Sequence, residues 1–415
     1  MIQVVVFGAI VGVCVVMLVT RLFRGRKLLQ AVQPARQIES LPQTMNAIEV
    51  ERYTSDFSGV QHNPSRTLPA LLGPKDVMVK IHSSSVNPID LAISRSYGRV
   101  LLNQMRKSKG FPSDDKELPL VLGRDCSGVV VATGHDANKF EIGTEVWATP
   151  AAYRQGCHAE FTVMGEGEIA LKPKNITHTE AAAVPYVAMT SWKALVDHAG
   201  LNSNTTAGKR ILITGGSGGI GSFAIQLMKA WDGHVTTTCS SNAVQLLEDL
   251  GADKILDYSR DDLQETLQKE PKFDVVYDTV GNDMTQSYIN LLKEKQGATY
   301  VTLRTPLLST VDANGLCRGL LIGMAKWANP ALSQYLAHGR HYRWAFFAPN
   351  GDALKTISKL VEDGKIKPII QETFPLAEGK AAYEKLAKGH ARGKIVIEVI
   401  ESNKKSDDAV YTVTS

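Results

Sequence analysis

The segment Gly216-Ser217-Gly218-Gly219-Ile220-Gly221 has the glycine spacing of a turn that takes a diphosphate. The first glycine permits a tight turn, the second lets the backbone approach the phosphates, and the third lets helix and strand pack closely. The chain has 34 glycines, enough for chance matches, so the context decides. Apolar Arg210-Ile-Leu-Ile-Thr214 precedes the loop, and an amphipathic stretch from about Ile220 to Trp231 follows it. A helix starting there would offer unpaired N–H groups and the positive end of its dipole to a phosphate. The next strand ends Thr238-Cys239-Ser240-Ser241-Asn242, with no carboxylate to repel a 2′-phosphate, and Asp232 lies before that strand. NADPH is therefore expected over NADH, although no arginine stands nearby in the sequence.

A second constellation is defined by what it lacks. A catalytic zinc would need cysteine and histidine ligands with one position open to substrate. The obvious place is Gly123-Arg124-Asp125-Cys126, where no histidine follows the glycine, and neither His82 nor Cys157 sits in a ligand-like spacing. No metal is expected. Hydride chemistry without a Lewis acid relies on hydrogen bonding and accurate positioning, which suits a quinone or conjugated enone. The polar candidates are Asn87 and Tyr97, either able to donate to a carbonyl oxygen, and Asp90, able to fix a neighbouring loop. On spacing alone these three could equally satisfy a turn.

The elements around these residues change character along the chain. Val77-Met-Val-Lys-Ile-His82, Leu120–Leu122, Cys126-Ser-Gly-Val-Val-Val-Ala132 and Glu145-Val-Trp147 are short strands punctuated by Gly, Pro and Asn, as in a small β-barrel. Beyond Pro185, helical stretches alternate with apolar strands at 210–214, 234–239, 254–256, 273–277 and 298–302, which predicts a doubly wound parallel sheet. A helix is expected near Asp352–Asp363, and a last strand, Lys394-Ile-Val-Ile-Glu-Val399, has no obvious place in that sheet. The polar tail from Ser402 reads as loose.

Bulk properties bound the rest. At 415 residues, with 44% hydrophobic and 21% charged residues, the chain suits two folded domains. The net charge is only +4 and no basic stripe is interleaved with aromatics, so nucleic acid is not an expected partner. Five scattered cysteines give neither a disulfide framework nor a zinc cluster. Residues 2–20 carry no charge and are followed by Arg21, Arg24, Arg26 and Lys27. That pattern predicts an uncleaved membrane anchor over residues 1–27, with an import sequence as the alternative.

Taken together, Ser85-Val-Asn87-Pro88-Ile-Asp90, Gly123-Arg-Asp-Cys-Ser-Gly128 and the glycine loop resemble, in order, the zinc-independent quinone oxidoreductases of the medium-chain dehydrogenase/reductase superfamily. The likeness runs from about residue 45 to 400. Gln226-Leu-Met-Lys-Ala-Trp231, His341-Tyr-Arg-Trp-Ala-Phe-Phe347 and Gly389-His-Ala-Arg-Gly-Lys394 are similar to a mitochondrial, reticulon-interacting group within that family. The resemblance implies an α/β chain: a GroES-like β domain at 45–185, a Rossmann NADPH domain at 186–340, and a return to the first domain at 341–402. A linker at 28–44 and a flexible tail at 403–415 complete the expected layout. It also implies cofactor contacts from Ser217, Gly219 and Ile220 at the diphosphate, and from Ser240 and Tyr258 at the 2′-phosphate. Ala345, Phe347, His390, Ala391 and Arg392 would close on NADPH. By the same resemblance the chain would support ubiquinone synthesis in mitochondria and bind a reticulon-type membrane protein. The apolar N-terminus departs from an arginine-rich presequence and leaves outer membrane or matrix open.

Overall fold

The computed structural model describes residues 34–38, 40–109, 117–260, 262–294 and 297–400, together with the backbone of the strand Val413–Thr414. The expected anchor over residues 1–27 lies outside the described residues. Among the described residues no helix is long and apolar enough to cross a membrane.

Six strands form one parallel sheet: Arg210–Ile213, His234–Cys239, Lys254–Asp257, Val275–Asp278, Thr299–Thr302 and His341–Trp344. Numbered by their succession in the chain, they lie in the order 3-2-1-4-5-6. Helices cover both faces, so side chains alternating along one strand enter two different cores. Ile211 and Ile213 pack with Phe223, Ala224 and Leu227 of the helix Gly219–Lys229, whereas Leu212 packs with Tyr288, Ile289 and Leu292 on the other face. All three strand residues are fully buried. Each such side chain contributes about 1.5–3 kcal/mol.

The strand Asp76–Val86 is the spine of the other domain. It pairs antiparallel with Cys126–Thr133, with Phe161–Gly165 and with Lys394–Glu398. The last strand, which has no place in the parallel sheet, therefore returns to the first domain, with Ile395 opposite Val86. That return sets Lys394 beside the segment Val86–Asn87.

Three expectations need correction. Arg36–Ile38, inside the stretch read as a linker, is a strand paired with Cys126–Thr133, and Val413–Thr414 of the supposedly loose tail pairs with it. His341–Trp344 belongs to the parallel sheet rather than to the return segment, and the helix Gly351–Glu362 buries Leu354, Ile357 and Val361 in the nucleotide-domain core. The polar alternation of an edge strand hid this membership, because an edge is not wrapped in apolar neighbours on both sides. The 23-residue helix Leu316–His338 was not foreseen either. It carries Pro330 and two glycines, which blunt its helical signature.

Candidate cofactor and acceptor site

The glycine loop leaves the central strand where the chain order of the sheet reverses, between neighbours His234–Cys239 and Val275–Asp278. Such a crevice is where doubly wound sheets take their ligands. The left-handed residue of the turn is Gly215 (φ +67°), one position before the motif. At Gly216 a Cβ would lie 2.2 Å from Thr237 Oγ1, so this glycine lets the loop cross the second strand. At Gly221 a Cβ would lie 2.3 Å from the Gly215 carbonyl oxygen, so helix and loop are in direct backbone contact. Gly218 differs. It is the extended N-cap of the helix Gly219–Lys229 with no side-chain cap, and a Cβ there would meet only the Gly215 oxygen at 3.6 Å. The protein itself does not need a glycine at 218, but a diphosphate lying over the helix N-terminus would.

The C-terminal loop closes directly on this turn. Gly393 N donates to the Ser217 carbonyl at 2.9 Å, and Gly218 and Gly393 form a parallel bridge. Exposed His390, half-buried Ala391 and exposed Arg392 are thereby held beside the loop, with Arg392 N donating to Gln371 Oε1 at 2.8 Å. Ile220 packs half-buried against the core. Ala345 N donates to the Thr302 carbonyl at 3.0 Å, and Phe347 lies against Tyr186 with ring centroids 4.9 Å apart. Ser217, Gly219, His390 and Arg392 are thus gathered at one mouth, and Ala345 and Phe347 sit beyond the sixth strand.

At the far edge, Ser240 Oγ donates to Asn242 Oδ1 at 2.9 Å, and Tyr258, 47% exposed, donates its N–H to the Cys239 carbonyl at 3.1 Å. Sequence reasoning found no carboxylate at the end of the second strand, but the third strand brings Asp257 level with Cys239. The Ser241 hydroxyl bonded to this carboxyl holds it below the usual carboxylate range. Arg260 Nε lies 3.4 Å from Asp257, which supplies the basic group that sequence reading lacked at this edge. Its signal was hidden because the two strands meet only in the folded sheet.

Across the cleft the polar groups are tied to one another. Asp125, fully buried, accepts from Ser85 Oγ at 2.6 Å and Asn87 Nδ2 at 2.8 Å on one oxygen, and from the Tyr186 N–H on the other. Lys394 Nζ lies 3.1 Å from the same carboxylate and also donates to Asn87 Oδ1. Asp90, also fully buried, accepts from Asn87 N at 2.9 Å and Gly123 N at 3.0 Å. It therefore caps its own helix, Pro88–Ser94, and fixes the next loop. Asn87 is only 1% exposed, so the structure ties it inward to Asp125 and Lys394. That is a correction to its reading as a free carbonyl donor.

Tyr97 stands apart from this network. Its hydroxyl makes one long bond, 3.5 Å to the Thr305 carbonyl, and burial followed by the Asp312 charge pushes the phenol up. The adjoining backbone is fixed more firmly, because Asp312 accepts from Gly98 N at 2.6 Å and Val100 N at 3.0 Å. Asp312 lies on the helix Leu307–Asn314, which follows the fifth parallel strand, so nucleotide and acceptor domains are joined at the Tyr97 turn. The structure brings Asn87 and Asp90 together and leaves Tyr97 with a different partner. Sequence reasoning missed Lys394, Asp125 and Asp312: Lys394 meets Asn87 across 307 residues and Asp125 across 269, and Asp312 meets Gly98 across 214. Among the described residues no three His, Cys, Asp or Glu side chains converge as metal ligands would.

Comparisons with known proteins agree with this architecture. A family model described as "Alcohol dehydrogenase GroES-like domain" matches residues 73–214, and one described as "Zinc-binding dehydrogenase" matches residues 250–397. The human protein named "NAD(P)H oxidoreductase RTN4IP1, mitochondrial" is 45% identical over 333 residues, covering 80% of this chain and 84% of its own length. A Caenorhabditis elegans protein named "Reticulon-4-interacting protein 1, mitochondrial" is 35% identical over 331 residues, with 80% and 90% covered. Among solved structures, the quinone oxidoreductase from Coxiella burnetii superposes with a TM-score of 0.67 at 27% identity, covering 86% of this chain and 99% of that one.

Proposed function

The chain belongs to the NAD(P)H oxidoreductase RTN4IP1 family of medium-chain dehydrogenases/reductases, and we propose that it is an NADPH-dependent reductase of quinone-like or enone carbonyl acceptors that works without zinc. The observation that carries this reading is Gly218: a helix N-terminus with no side-chain cap, at a position where a side chain would make only an ordinary 3.6 Å contact with the protein but would crowd a diphosphate. When bound, the reduced nicotinamide supplies hydride. The backbone N–H groups from Gly219 onward hold the phosphates, and Ser240, Tyr258 and Arg260 form the edge that takes the 2′-phosphate. Tyr97 is the group placed to protonate the reduced oxygen, because its hydroxyl is half-buried, protonated and only loosely engaged. Asn87, Asp90 and Asp125 hold the acceptor floor in place.

Zinc independence has support in the donor set. Arg124 stands where a ligand would follow Gly123, and among the described residues no group of three His, Cys, Asp or Glu side chains is placed to complete a ligand set around Cys126 or Cys157. The names of the relatives extend the reading to mitochondria and to contact with a reticulon-type membrane protein, and a quinone acceptor suits a role in ubiquinone synthesis.

The test is turnover by the purified full chain with NADPH and a panel of short-chain quinones and enones. Acceptor-dependent NADPH oxidation that survives exhaustive chelation is expected. Loss of turnover on chelation, restored by zinc, would remove the metal-free part. No acceptor-dependent oxidation across the panel would remove the reductase reading.

A further inference from the structure

Tyr186 touches both banks of the cleft. It is the second residue of the helix Pro185–Ser191, whose opening proline fixes the entry of the chain. Its N–H donates to Asp125, the carboxylate that also holds Asn87 on the acceptor floor. Its ring lies against Phe347, just beyond the sixth parallel strand. The backbone is engaged, but the phenol is not. Among the described residues no carbonyl or carboxylate accepts from the Tyr186 hydroxyl. The hydroxyl beside it, Thr190 Oγ1, already donates to the Tyr186 carbonyl at 2.7 Å. Burial, then the charges of Asp90 and Asp125, pushes the phenol up, so it keeps its proton. A half-buried phenol of this kind is a donor for a ligand oxygen.

The surroundings place this phenol in the crevice. Ile220 of the glycine loop, Leu303 after the fifth strand, Phe347 after the sixth and Tyr186 are all half-buried and pack on the same nucleotide-domain core. The first three stand beyond the carboxyl ends of parallel strands, where such sheets take their ligands. Tyr97 reaches the same rim separately, since its hydroxyl meets the carbonyl of Thr305, two residues past Leu303. Ala345 N donates to the Thr302 carbonyl, so the segments carrying Thr305 and Phe347 leave neighbouring strands side by side. Neighbouring strands lie about 4.8 Å apart, the scale of one six-membered ring with an oxygen at each end.

We propose that Tyr186 is a second hydrogen-bond donor to the acceptor, and that Tyr97 and Tyr186 together select a ring with two carbonyl groups, a 1,4-quinone, over an enone with one. Tyr97 serves the oxygen that is protonated. Tyr186 donates a hydrogen bond to the opposite oxygen and releases no proton, so it polarises the far carbonyl as the ring gains electrons. An acceptor with a single carbonyl leaves Tyr186 without a partner. The proposal rests on the reductase reading for the transfer itself, but binding of a dione by the two hydroxyls does not depend on turnover.

Two measurements on the full chain test it. In calorimetry, duroquinone should bind saturably to the chain loaded with NADP+, which has no hydride to give. Tyr186→Phe should weaken that binding about fivefold or more, Tyr97→Phe likewise, and the two losses should multiply in the double variant, as for hydroxyls on separate oxygens. Melting temperature and NADP+ affinity should not move, because phenylalanine keeps the ring on Phe347 and the backbone bond to Asp125. In turnover, kcat/KM for duroquinone should fall by a similar factor in Tyr186→Phe, while that for cyclohex-2-enone changes by less than about twofold. Absence of duroquinone binding, or equal affinity in Tyr186→Phe, overturns the proposal. A double variant no weaker than either single one also overturns it, since both hydroxyls then serve one oxygen. Equal loss for both acceptors, or a parallel loss of NADP+ affinity, overturns it by marking a structural role. If duroquinone binds through Tyr186 but no acceptor is reduced, the second donor stands and the reductase reading falls.

Discussion

The two banks of the cleft handle their polar groups in opposite ways. On the nucleotide bank, side chains are removed and backbone groups are left for a ligand: Gly218 leaves a helix N-terminus uncapped, and Gly216 and Gly221 let the backbone crowd close. On the acceptor bank, side chains satisfy one another, with Asp125 serving Ser85, Asn87, Tyr186 and Lys394 at once. A site built of absent side chains is preformed and tolerant, whereas a site built on a closed network fails as a unit when one member is lost.

That contrast can be broken most forcefully at Asp125. Asp125→Ala leaves Lys394 buried without its counter-charge and two side-chain donors without an acceptor, so about 3–5 kcal/mol of stability should disappear in denaturant unfolding. A loss below about 1 kcal/mol would show the network to be loose. Gly221→Ala should come next. The added methyl meets the Gly215 oxygen at 2.3 Å, and unfolding should move by about 1–3 kcal/mol. Gly218→Ala, whose methyl makes only an ordinary 3.6 Å contact with the Gly215 oxygen, should leave stability within about 0.5 kcal/mol.

Asp312→Asn tests the join between the banks. It keeps one acceptor oxygen but loses one of the bonds to Gly98 and Val100, so kcat should fall roughly tenfold while the affinity for NADPH is unmoved. A parallel change in NADPH affinity would instead mark a general loosening of the domains.

The smallest effect is a pH dependence away from the cleft. His178 stacks on His82 with ring centroids 4.2 Å apart, faces Glu145 and Lys172, and is pushed down to about 4, first by burial and then by His82. Its ordinary value is 6.5, so the neutral folded form is fully stable above that pH. Stability should then decline as the pH falls from 6.5 toward 4, because only the unfolded chain gains the proton. His178→Gln should flatten that slope in thermal unfolding, and an unchanged slope would assign it to other groups.

The same contrast explains what could be read from the sequence. The Arg210–Ile213 strand, the glycine loop and the following helix are contiguous, so their spacing shows both fold and chemistry. The acceptor bank is assembled from afar: Lys394 meets Asp125 across 269 residues, and Tyr97 meets Thr305 across 208. No local spacing encodes such pairs. The sequence could nominate Asn87 as a polar group beside a turn, but only the returning strand shows that Lys394 occupies its carbonyl. Asp257 and Arg260 were hidden for a related reason, since parallel strands align residues that are distant in the chain. His341–Trp344 escaped because an edge strand carries a weaker apolar signal than a central one.

The most direct measurement is a calorimetric titration of NADPH into the full chain and into Gly218→Ala, with folding of both checked by thermal unfolding. Saturable binding to the native chain, weakened about tenfold or more in a variant that melts at the same temperature, is the expected result. Equal affinity in the two chains, or no saturable binding to either, would contradict the assignment of this turn to a dinucleotide diphosphate.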